Sequence, residues 1–148
     1  YYARHQVNFN TDRSAKLSGS GSANWGNFYD GKRLTLRGGL RYAPVPQAAI
    51  TLDYEYNSLR SLGEASEDLK THLTTIGSRF AVNPRIQFTA FYQYNSLDER
   101  GRWNLRASWE YRPLSFVYLV FNNTQLNRLD DPFQEQQFIG KITFLQQF

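Results

Sequence analysis

The sequence predicts an all-β fold, an antiparallel transmembrane β-barrel whose strands follow one another in an up-and-down meander. The main observation is an alternation of apolar and polar residues with a period of two along most of the 148 residues, which is typical of strands with one apolar and one polar face. A second is that many of the aromatic residues, 16% of the chain, fall near the ends of these segments. A third is that no stretch approaches the roughly 18 consecutive apolar residues of a transmembrane helix, whereas a barrel strand needs only alternation.

About nine segments alternate in this way. They lie near residues 2–10, 16–25, 34–42, 49–57, 71–82, 85–95, 102–111, 116–123 and 137–148. Dividing the 148 residues by nine strands gives roughly 16 residues per strand and connection. This spacing suits strands of about ten residues, which is longer than the five or six residues common in soluble sheets.

The first four strands differ in how strongly they alternate. The first, near residues 2–10, is weak, and the second carries small residues that thin its apolar face. The third and fourth alternate more clearly. Their apolar positions are Leu34, Leu36, Gly38, Leu40, Tyr42, Ile50, Leu52, Tyr54 and Tyr56.

The later strands follow the same rule. The fifth and eighth are weak, whereas the sixth has only Phe91 out of place and the seventh, 102–111, separates its two faces almost completely. One face of the seventh strand holds Trp103, Leu105, Ala107, Trp109 and Tyr111. The ninth strand is predicted near residues 137–148.

The connections add a second pattern, because from the third onward short and long segments alternate. The short ones are APVPQ, VNPR and RPLS, and they contain Pro44, Pro46, Pro84 and Pro113. Proline fixes φ and lacks an N–H donor, so it fits tight turns. A meander through a bilayer, with tight turns on one side and longer loops on the other, produces this alternation.

The charged residues indicate which face meets lipid. They lie on the polar faces of almost every strand, and turning one of them toward lipid at mid-depth would cost roughly 2 to 4 kcal/mol. We therefore expect these polar side chains to face a lumen in which some form ion pairs. The predicted lumen residues are Arg37, Arg41, Asp53, Glu55, Arg79, Arg106, Glu110 and Lys141.

The aromatic residues form two predicted belts at the headgroup levels of a bilayer. One belt, at the long-loop end, consists of Trp25, Tyr54, Tyr56, Tyr92, Tyr94 and Trp103. The other, at the short-turn end, consists of Phe9, Tyr42, Phe80, Trp109, Tyr111 and Phe148. A soluble lipocalin-like barrel, with its aromatic faces inside, is the alternative, but it gives no reason for this segregation of rings.

The stretch QFTAFYQYNSLDERGRWNLRASWEYRPLSFVYLVFNNTQ, together with the ending ITFLQQF, resembles the C-terminal region of a group of Gram-negative outer-membrane proteins classified as a domain of unknown function. The resemblance covers residues 85–148 well and the first half only in pattern. It implies an outer-membrane barrel without catalytic residues. The carbohydrate-binding-like β-sandwich that usually precedes the barrel in that group has no counterpart in these residues, so no sugar-binding role is carried over.

The end of the chain also looks like the signal that outer-membrane barrels present to their assembly machinery. Gln146 departs from this pattern, since an apolar residue is usual there. The predicted signal residues are Phe138, Gly140, Ile142, Phe144 and Phe148.

We expect no enzyme activity, no cofactor and no metal site. The chain has no cysteine and only two histidines, His5 and His72, neither of which stands in a metal-binding spacing. A membrane-embedded hydrolase pairing His72 with a serine such as Ser78 is an alternative that we do not favour. Asp53 and Glu55 are two residues apart on one face, where lumen ion pairs are a commoner use than acid–base catalysis.

Acidic residues also cluster in GEASEDL and NRLDDPF, where we expect solvated loops rather than a calcium site. Lys and Arg outnumber Asp and Glu by only 17 to 13 and are dispersed, so a nucleic-acid surface is not predicted.

We expect residues 1–148 to form one barrel domain or the C-terminal segment of a larger barrel with an even strand number, since nine is odd. The predicted location is the bacterial outer membrane. The expected partners are its lipid and lipopolysaccharide, the barrel assembly machinery and other subunits of a membrane complex. Two functions stay open: a porin-like transport channel with a mixed-charge lumen, and a structural anchor or assembly subunit with a closed lumen.

Overall fold

The computed structural model describes residues 3–28, 31–62, 67–126 and 134–145. They form an all-β fold, a single antiparallel sheet of nine strands whose order in space is their order in the chain. The strands are β1 Arg4–Asn10, β2 Leu17–Phe28, β3 Gly31–Val45, β4 Ala48–Leu62, β5 Glu67–Asn83, β6 Ile86–Asn95, β7 Arg100–Arg112, β8 Ser115–Leu126 and β9 Gln134–Thr143. The described residues contain no helix that is long and apolar enough to cross a membrane.

All nine predicted strands are present, but several extend further than the sequence predicts. β4 runs to Leu62 and β5 begins at Glu67, so much of the stretch 58–70 between the fourth and fifth predicted strands is also strand. β9 ends earlier than expected, at Thr143, because its ladder with β8 ends at the pair Phe116 and Thr143. Strand length is therefore set by the register partner as well as by the local alternation.

The alternation of short and long connections is confirmed, with smaller differences in length. Two residues each separate β3 from β4, β5 from β6 and β7 from β8, and four to seven separate the later pairs at the opposite end. Pro46, Pro84 and Pro113 occupy the short turns as predicted. Pro44 instead lies inside β3, where the register with β4 shifts between Tyr42 and Val45, a place where the sheet does not require its missing N–H. We call the two ends of the sheet the short-turn end and the long-loop end.

The register keeps the two predicted faces separate across the sheet, because directly paired residues lie on the same face. One continuous path of partners is apolar in most strands and runs Leu17, Tyr42, Ile50, Ser78, Ala90, Leu105, Phe121 and Phe138. The neighbouring path on the other face runs Ser18, Arg41, Thr51, Gly77, Phe91, Asn104, Asn122 and Gln137. We name these the apolar face and the polar face.

The strands are also staggered by a constant amount. The register can be followed across two strands, starting from the first residue of an even-numbered strand. It connects Leu17 in β2 with Ile50 in β4, Ala48 in β4 with Phe88 in β6, and Ile86 in β6 with Val117 in β8. β4, β6 and β8 begin at Ala48, Ile86 and Ser115, so each start is displaced by two residues over two strands. One residue of stagger per strand corresponds to an eight-stranded barrel of shear eight, in which strands tilt by about 36°.

The closed barrel expected from the sequence is not formed by these nine strands. In the described part of the chain β1 pairs only with β2 and β9 only with β8, so the sheet has two edges. Because successive strands are antiparallel and nine is odd, both edge strands run in the same direction. If β1 and β9 paired directly with each other, they would therefore form a parallel pair.

The sheet has no core of its own. Among the described residues no hydrophobic side chain is buried, and the buried polar ones are Ser18, Thr35, Ser58, Ser115 and Asn123. Soluble domains show the opposite distribution.

Candidate functional site

The apolar face exposes large side chains on every strand. Val7 in β1 is 58% exposed, Leu40 in β3 56% and Ile142 in β9 73%. Small residues lie between them, including Gly21 and Gly38, which are register partners. This face is therefore a wide, nearly continuous apolar surface.

Aromatic rings group at the long-loop end of this face. The Tyr54 hydroxyl lies 2.6 Å from His72 Nδ1, a hydrogen-bond distance, and the Tyr56 ring lies 5.1 Å from the His72 ring. Trp25 stacks on His5, with ring centroids 5.7 Å apart. The structure thus places predicted belt residues together with two histidines, which the sequence did not assign to a belt.

Among the described residues of this end, Tyr92 and Trp103 form the tightest ring pair, with centroids 4.5 Å apart. Gly101 leaves room for the Tyr92 ring, since a Cβ there would lie 3.0 Å from the Tyr92 hydroxyl oxygen and 3.3 Å from a ring carbon, so the ring would have to shift slightly. Tyr94, the remaining predicted belt residue of this end, pairs with Gly101 in register.

The short-turn end carries the second group of rings. Tyr42, Phe80 and Trp109 are each about half exposed, at 51, 52 and 51%. Trp109 contacts Tyr111 edge-on, with centroids 6.1 Å apart, and the Tyr111 hydroxyl donates to the Thr143 carbonyl oxygen at 3.2 Å. Phe9 is also exposed, whereas Phe148 lies outside the described residues.

The polar face contains a hydrogen-bonded network between β3 and β4. Arg37 donates through Nε to Glu55 Oε2 at 2.8 Å and through Nη2 to Glu55 Oε1 at 3.3 Å. Asn57 donates to the same carboxylate at 2.8 Å and accepts from the Thr35 hydroxyl at 2.7 Å. Arg37 and Glu55, both predicted lumen residues, thus form an ion pair that joins neighbouring strands along the sheet.

Two other predicted lumen residues, Arg41 and Asp53, form no ion pair with each other. Arg41 pairs in register with Thr51, and its guanidinium donates to the Arg13 carbonyl oxygen at 3.4 Å. Asp53 pairs with Gly39, so the two charges lie on different register paths.

The other predicted lumen residues also lie on the polar face or at its short-turn edge. Arg79 donates to the Pro46 carbonyl oxygen at 3.4 Å, and Glu110 accepts from the Leu114 N–H at 2.9 Å. Arg106 pairs in register with Val120, and Lys141 with Tyr118.

The polar face also has a cavity at its long-loop end. About 250 Å³ in volume, it is lined by Arg4, Arg33 and Arg37 together with amide side chains. Arg33 Nε donates to the Thr35 hydroxyl at 3.1 Å. The sequence places Arg4 on a polar face but does not predict this cavity, because the convergence of Arg4 and Arg33 depends on register: both pair with Gly26.

The Ser–His alternative is not supported by the geometry. Ser78 and His72 lie six residues apart on the same face of β5, which separates them by roughly 20 Å along the strand. His72 contacts the tyrosine rings, and its backbone N–H donates to the Ser96 hydroxyl at 2.7 Å.

Other predicted chemistry falls partly outside the described residues. The clusters GEASEDL and NRLDDPF include residues 63–66 and 127–133, which the structure does not describe. Among the residues that it does describe, no group of three or more histidines and carboxylates could hold a metal ion.

The predicted assembly signal lies on β9 and just after it. Phe138, Gly140 and Ile142 share the apolar face, and the first and third are 68% and 73% exposed. Phe144 follows the end of the strand and is 57% exposed.

Comparison with known proteins does not assign this chain to a family. No protein-family model matches the sequence, and no curated protein matches it significantly. The fold and the two faces therefore carry the functional argument.

Proposed function

We propose that this chain forms part of the wall of a transmembrane β-barrel in the bacterial outer membrane, and that the barrel passes small solutes through a polar lumen of mixed charge. The observation that carries the proposal is the exposed apolar face. Nine strands about 4.8 Å apart, with an apolar band about 25 Å tall, give a surface on the order of 1,000 Å². Soluble monomers rarely expose patches of more than a few hundred Å².

The stagger of the strands supports the barrel. One residue per strand corresponds to a tilt of about 36°, within the roughly 35–45° of membrane barrels. A flat sheet has no need for such a uniform displacement. Because both edges run in the same direction, an all-antiparallel wall would require an odd number of further strands between β9 and β1.

The position of the rings supports a bilayer as the environment of the apolar face. Trp and Tyr side chains prefer the interface between hydrocarbon and water. Trp103 and Tyr92 lie near one end of this face and Trp109 near the other, with Leu105 and Ala90 between them. Lipid and lipopolysaccharide are the partners that such a surface would contact, and the barrel assembly machinery would recognise β9.

The polar face supports a channel. The hydrogen bonds from Arg37 to Glu55 and from Thr35 to Asn57 run between β3 and β4 along the wall, so these side chains do not depend on partners from the opposite wall. Grooves of about 440 and 430 Å³ lie beside them, both lined by Asp53 and Ser20. Such a lining suits water and small polar solutes.

A second candidate function is that of an anchor or subunit whose lumen side is covered. It is favoured by an apolar patch on the polar face, where Val120 and Ile139 are register partners and Phe116 stacks on Tyr118 with centroids 5.5 Å apart. Ile139 is 44% exposed and Phe91 41%. The soluble lipocalin-like alternative has less support, because the apolar face does not enclose an interior in the described residues.

The full-length protein, expressed in a Gram-negative host, tests the proposal. We expect it in the outer-membrane fraction, with gel migration that changes on heating, and with stepwise current in planar bilayers. A chain that is monomeric without detergent and insensitive to heating would overturn the barrel. Insertion and heat-modifiable migration without stable current would replace the channel by the anchor.

A further inference from the structure

Two basic side chains lie on the apolar face, close to its long-loop end. Lys32 in β3 and Arg60 in β4 are register partners, and both are exposed. Like charges that lie directly opposite each other on one face of a sheet repel. Neither side chain forms an ion pair with a residue that the structure describes. An anion between the two strands would therefore stabilise this pair.

The aromatic rings indicate at which level of a bilayer the pair would lie. Trp25, a predicted belt residue, is the register partner of Leu34, and Lys32 lies two residues from Leu34 toward the long-loop end. Residues two apart on a strand share a face. Because Trp prefers the interface between hydrocarbon and water, Lys32 and Arg60 would lie just beyond that interface, at the level where basic side chains meet lipid headgroups.

A pocket of about 500 Å³ on this face combines the two basic groups with aromatic rings, and we call it the Lys32 pocket. None of the described residues that line it is acidic, and Lys70 and Asp68 of the neighbouring β5 do not line it. Arg33 also borders the pocket, but its Nε donates to the Thr35 hydroxyl on the polar face. The ring-bearing and basic residues that concern us here are His5, Trp25, Tyr56, Lys32 and Arg60.

A buried hydroxyl group in the lining adds a second observation. Ser58 lines the pocket and is only 3% exposed, and its Oγ makes no hydrogen bond to a described residue. Buried polar groups normally have such a partner. A phosphate oxygen held by Lys32 and Arg60 would accept a hydrogen bond from this hydroxyl, since ammonium, guanidinium and hydroxyl groups all donate to phosphate.

We propose that the Lys32 pocket binds a phosphate group of lipopolysaccharide, with Lys32, Arg60 and Ser58 as the donors. This inference rests on the proposed membrane barrel, whose long loops would lie on the outer side. The lipid of that leaflet, lipopolysaccharide, carries phosphate groups on the sugars that bear its acyl chains. Those chains would lie along the apolar residues nearer the middle of the sheet, such as Ala23 and Leu36, which are register partners. A free phosphate ion makes no such contact, so the lipid is the occupant.

The test compares two lipids that differ only in phosphate. The full-length protein, folded in an uncharged detergent, is mixed with the bisphosphorylated lipid part of lipopolysaccharide or with the same lipid after removal of its phosphates. Bound lipid is measured by native mass spectrometry. We expect the phosphorylated lipid to bind at least tenfold more tightly, which is about the effect of one weak hydrogen bond to a charged group.

Two variants test the donors. Lys32→Gln/Arg60→Gln should weaken binding of the phosphorylated lipid about tenfold for each residue, and Ser58→Ala should weaken it by about tenfold. Neither variant should change binding of the dephosphorylated lipid. A loss in the double variant without any loss in Ser58→Ala would overturn the role of the hydroxyl group.

The matched control is Arg4→Gln/Arg100→Gln. Both arginines lie at the long-loop end, but on the polar face. The control removes the same charge as Lys32→Gln/Arg60→Gln and should leave binding of both lipids unchanged.

The outcomes separate this inference from the proposed function. Equal binding of the two lipids, or equal losses in the Lys32/Arg60 variant and the control, would overturn the pocket while leaving the barrel in place. Inorganic phosphate that binds as tightly as the phosphorylated lipid would overturn the lipid as the occupant. Phosphate-dependent lipid binding without current would support the pocket and contradict only the channel. A chain that is monomeric without detergent and binds neither lipid would overturn both the pocket and the barrel.

Discussion

Thr75 and Ile76 are adjacent in the middle of β5, yet they belong to surfaces with opposite requirements. The register partners of Thr75 are Asp53 and Gln93, whereas those of Ile76 are Leu52 and Tyr92. Ile76 is 43% exposed and Leu52 41%. Water can satisfy the first group, but the second group gains only from an apolar environment. The comparison teaches that the described strands do not form a hydrophobic core with one another, because none of their hydrophobic side chains is buried.

The strongest test of this difference is to place the same charge on each face. Ile76→Arg should destabilise the protein in lipid vesicles by roughly 2 to 4 kcal/mol, since the charge would face hydrocarbon near mid-depth. Thr75→Arg is the matched variant, one residue away and beside Asp53. It should change stability by less than about 1 kcal/mol.

The measurement is equilibrium unfolding by guanidinium chloride in vesicles, followed by tryptophan fluorescence. Equal costs for the two substitutions would mean that the two faces do not meet different solvents. A larger cost for Thr75→Arg would reverse the assignment of lumen and lipid.

A smaller effect is expected from the rings at the edge of the apolar face. Tyr92 and Trp103, whose centroids lie 4.5 Å apart, should show a coupling of about 0.5 to 1.5 kcal/mol in a double-mutant cycle with leucine. Tyr54 and Tyr94 serve as the control pair, because Thr74 separates them in register and distant sites are nearly additive. Equal coupling in both cycles would show that general belt composition matters more than the contact.

The strands and their two faces could be predicted from the sequence, because alternation with a period of two depends only on residues that are close together in the chain. The alternation in 102–111 assigns Trp103 and Arg106 to opposite faces without any knowledge of neighbours. The pairs on each face could not be predicted, since they depend on register. Thr35 with Asn57, and Asn104 with Asn122, are hydrogen-bonded partners on adjacent strands that no spacing in the sequence specifies. Closure depends on what pairs with β1 and β9, and the described strands leave both edges without that partner.

The segments YEYNSL and YQYNSL, which begin at Tyr54 and Tyr92, are nearly identical in sequence. Their local pattern can be read from the sequence, whereas their relative position in the sheet depends on register. Tyr54 pairs with Thr74, and Thr74 pairs with Tyr94, whereas the residue of the second copy that corresponds to Tyr54 is Tyr92. The two copies are therefore displaced by two residues over two strands. This displacement equals the stagger of the strand starts, and a barrel tilted by about 36° would therefore place both copies at one depth. The first copy continues as strand to Leu62, whereas the second ends at Asn95 and is followed by a turn over residues 96–99.

The smallest expected effect concerns the polar face and separates an open lumen from a closed one. Arg37 and Glu55 form an ion pair with a shortest N···O distance of 2.8 Å, and their side chains are 55% and 24% exposed. In a water-filled lumen a double-mutant cycle with Arg37→Gln and Glu55→Gln should give a coupling of about 0.2 to 1 kcal/mol. High salt should weaken this coupling further, since ions screen exposed charges.

A closed and dry lumen predicts a different result for the same cycle. Removing one partner would then leave the other charge buried, which costs about 3 to 5 kcal/mol and responds little to salt. The Glu55→Gln substitution is suited to this comparison, because glutamine keeps an oxygen that can accept from Asn57. A coupling above about 3 kcal/mol that persists in 1 M salt would favour the anchor, and a small salt-sensitive coupling would favour the channel.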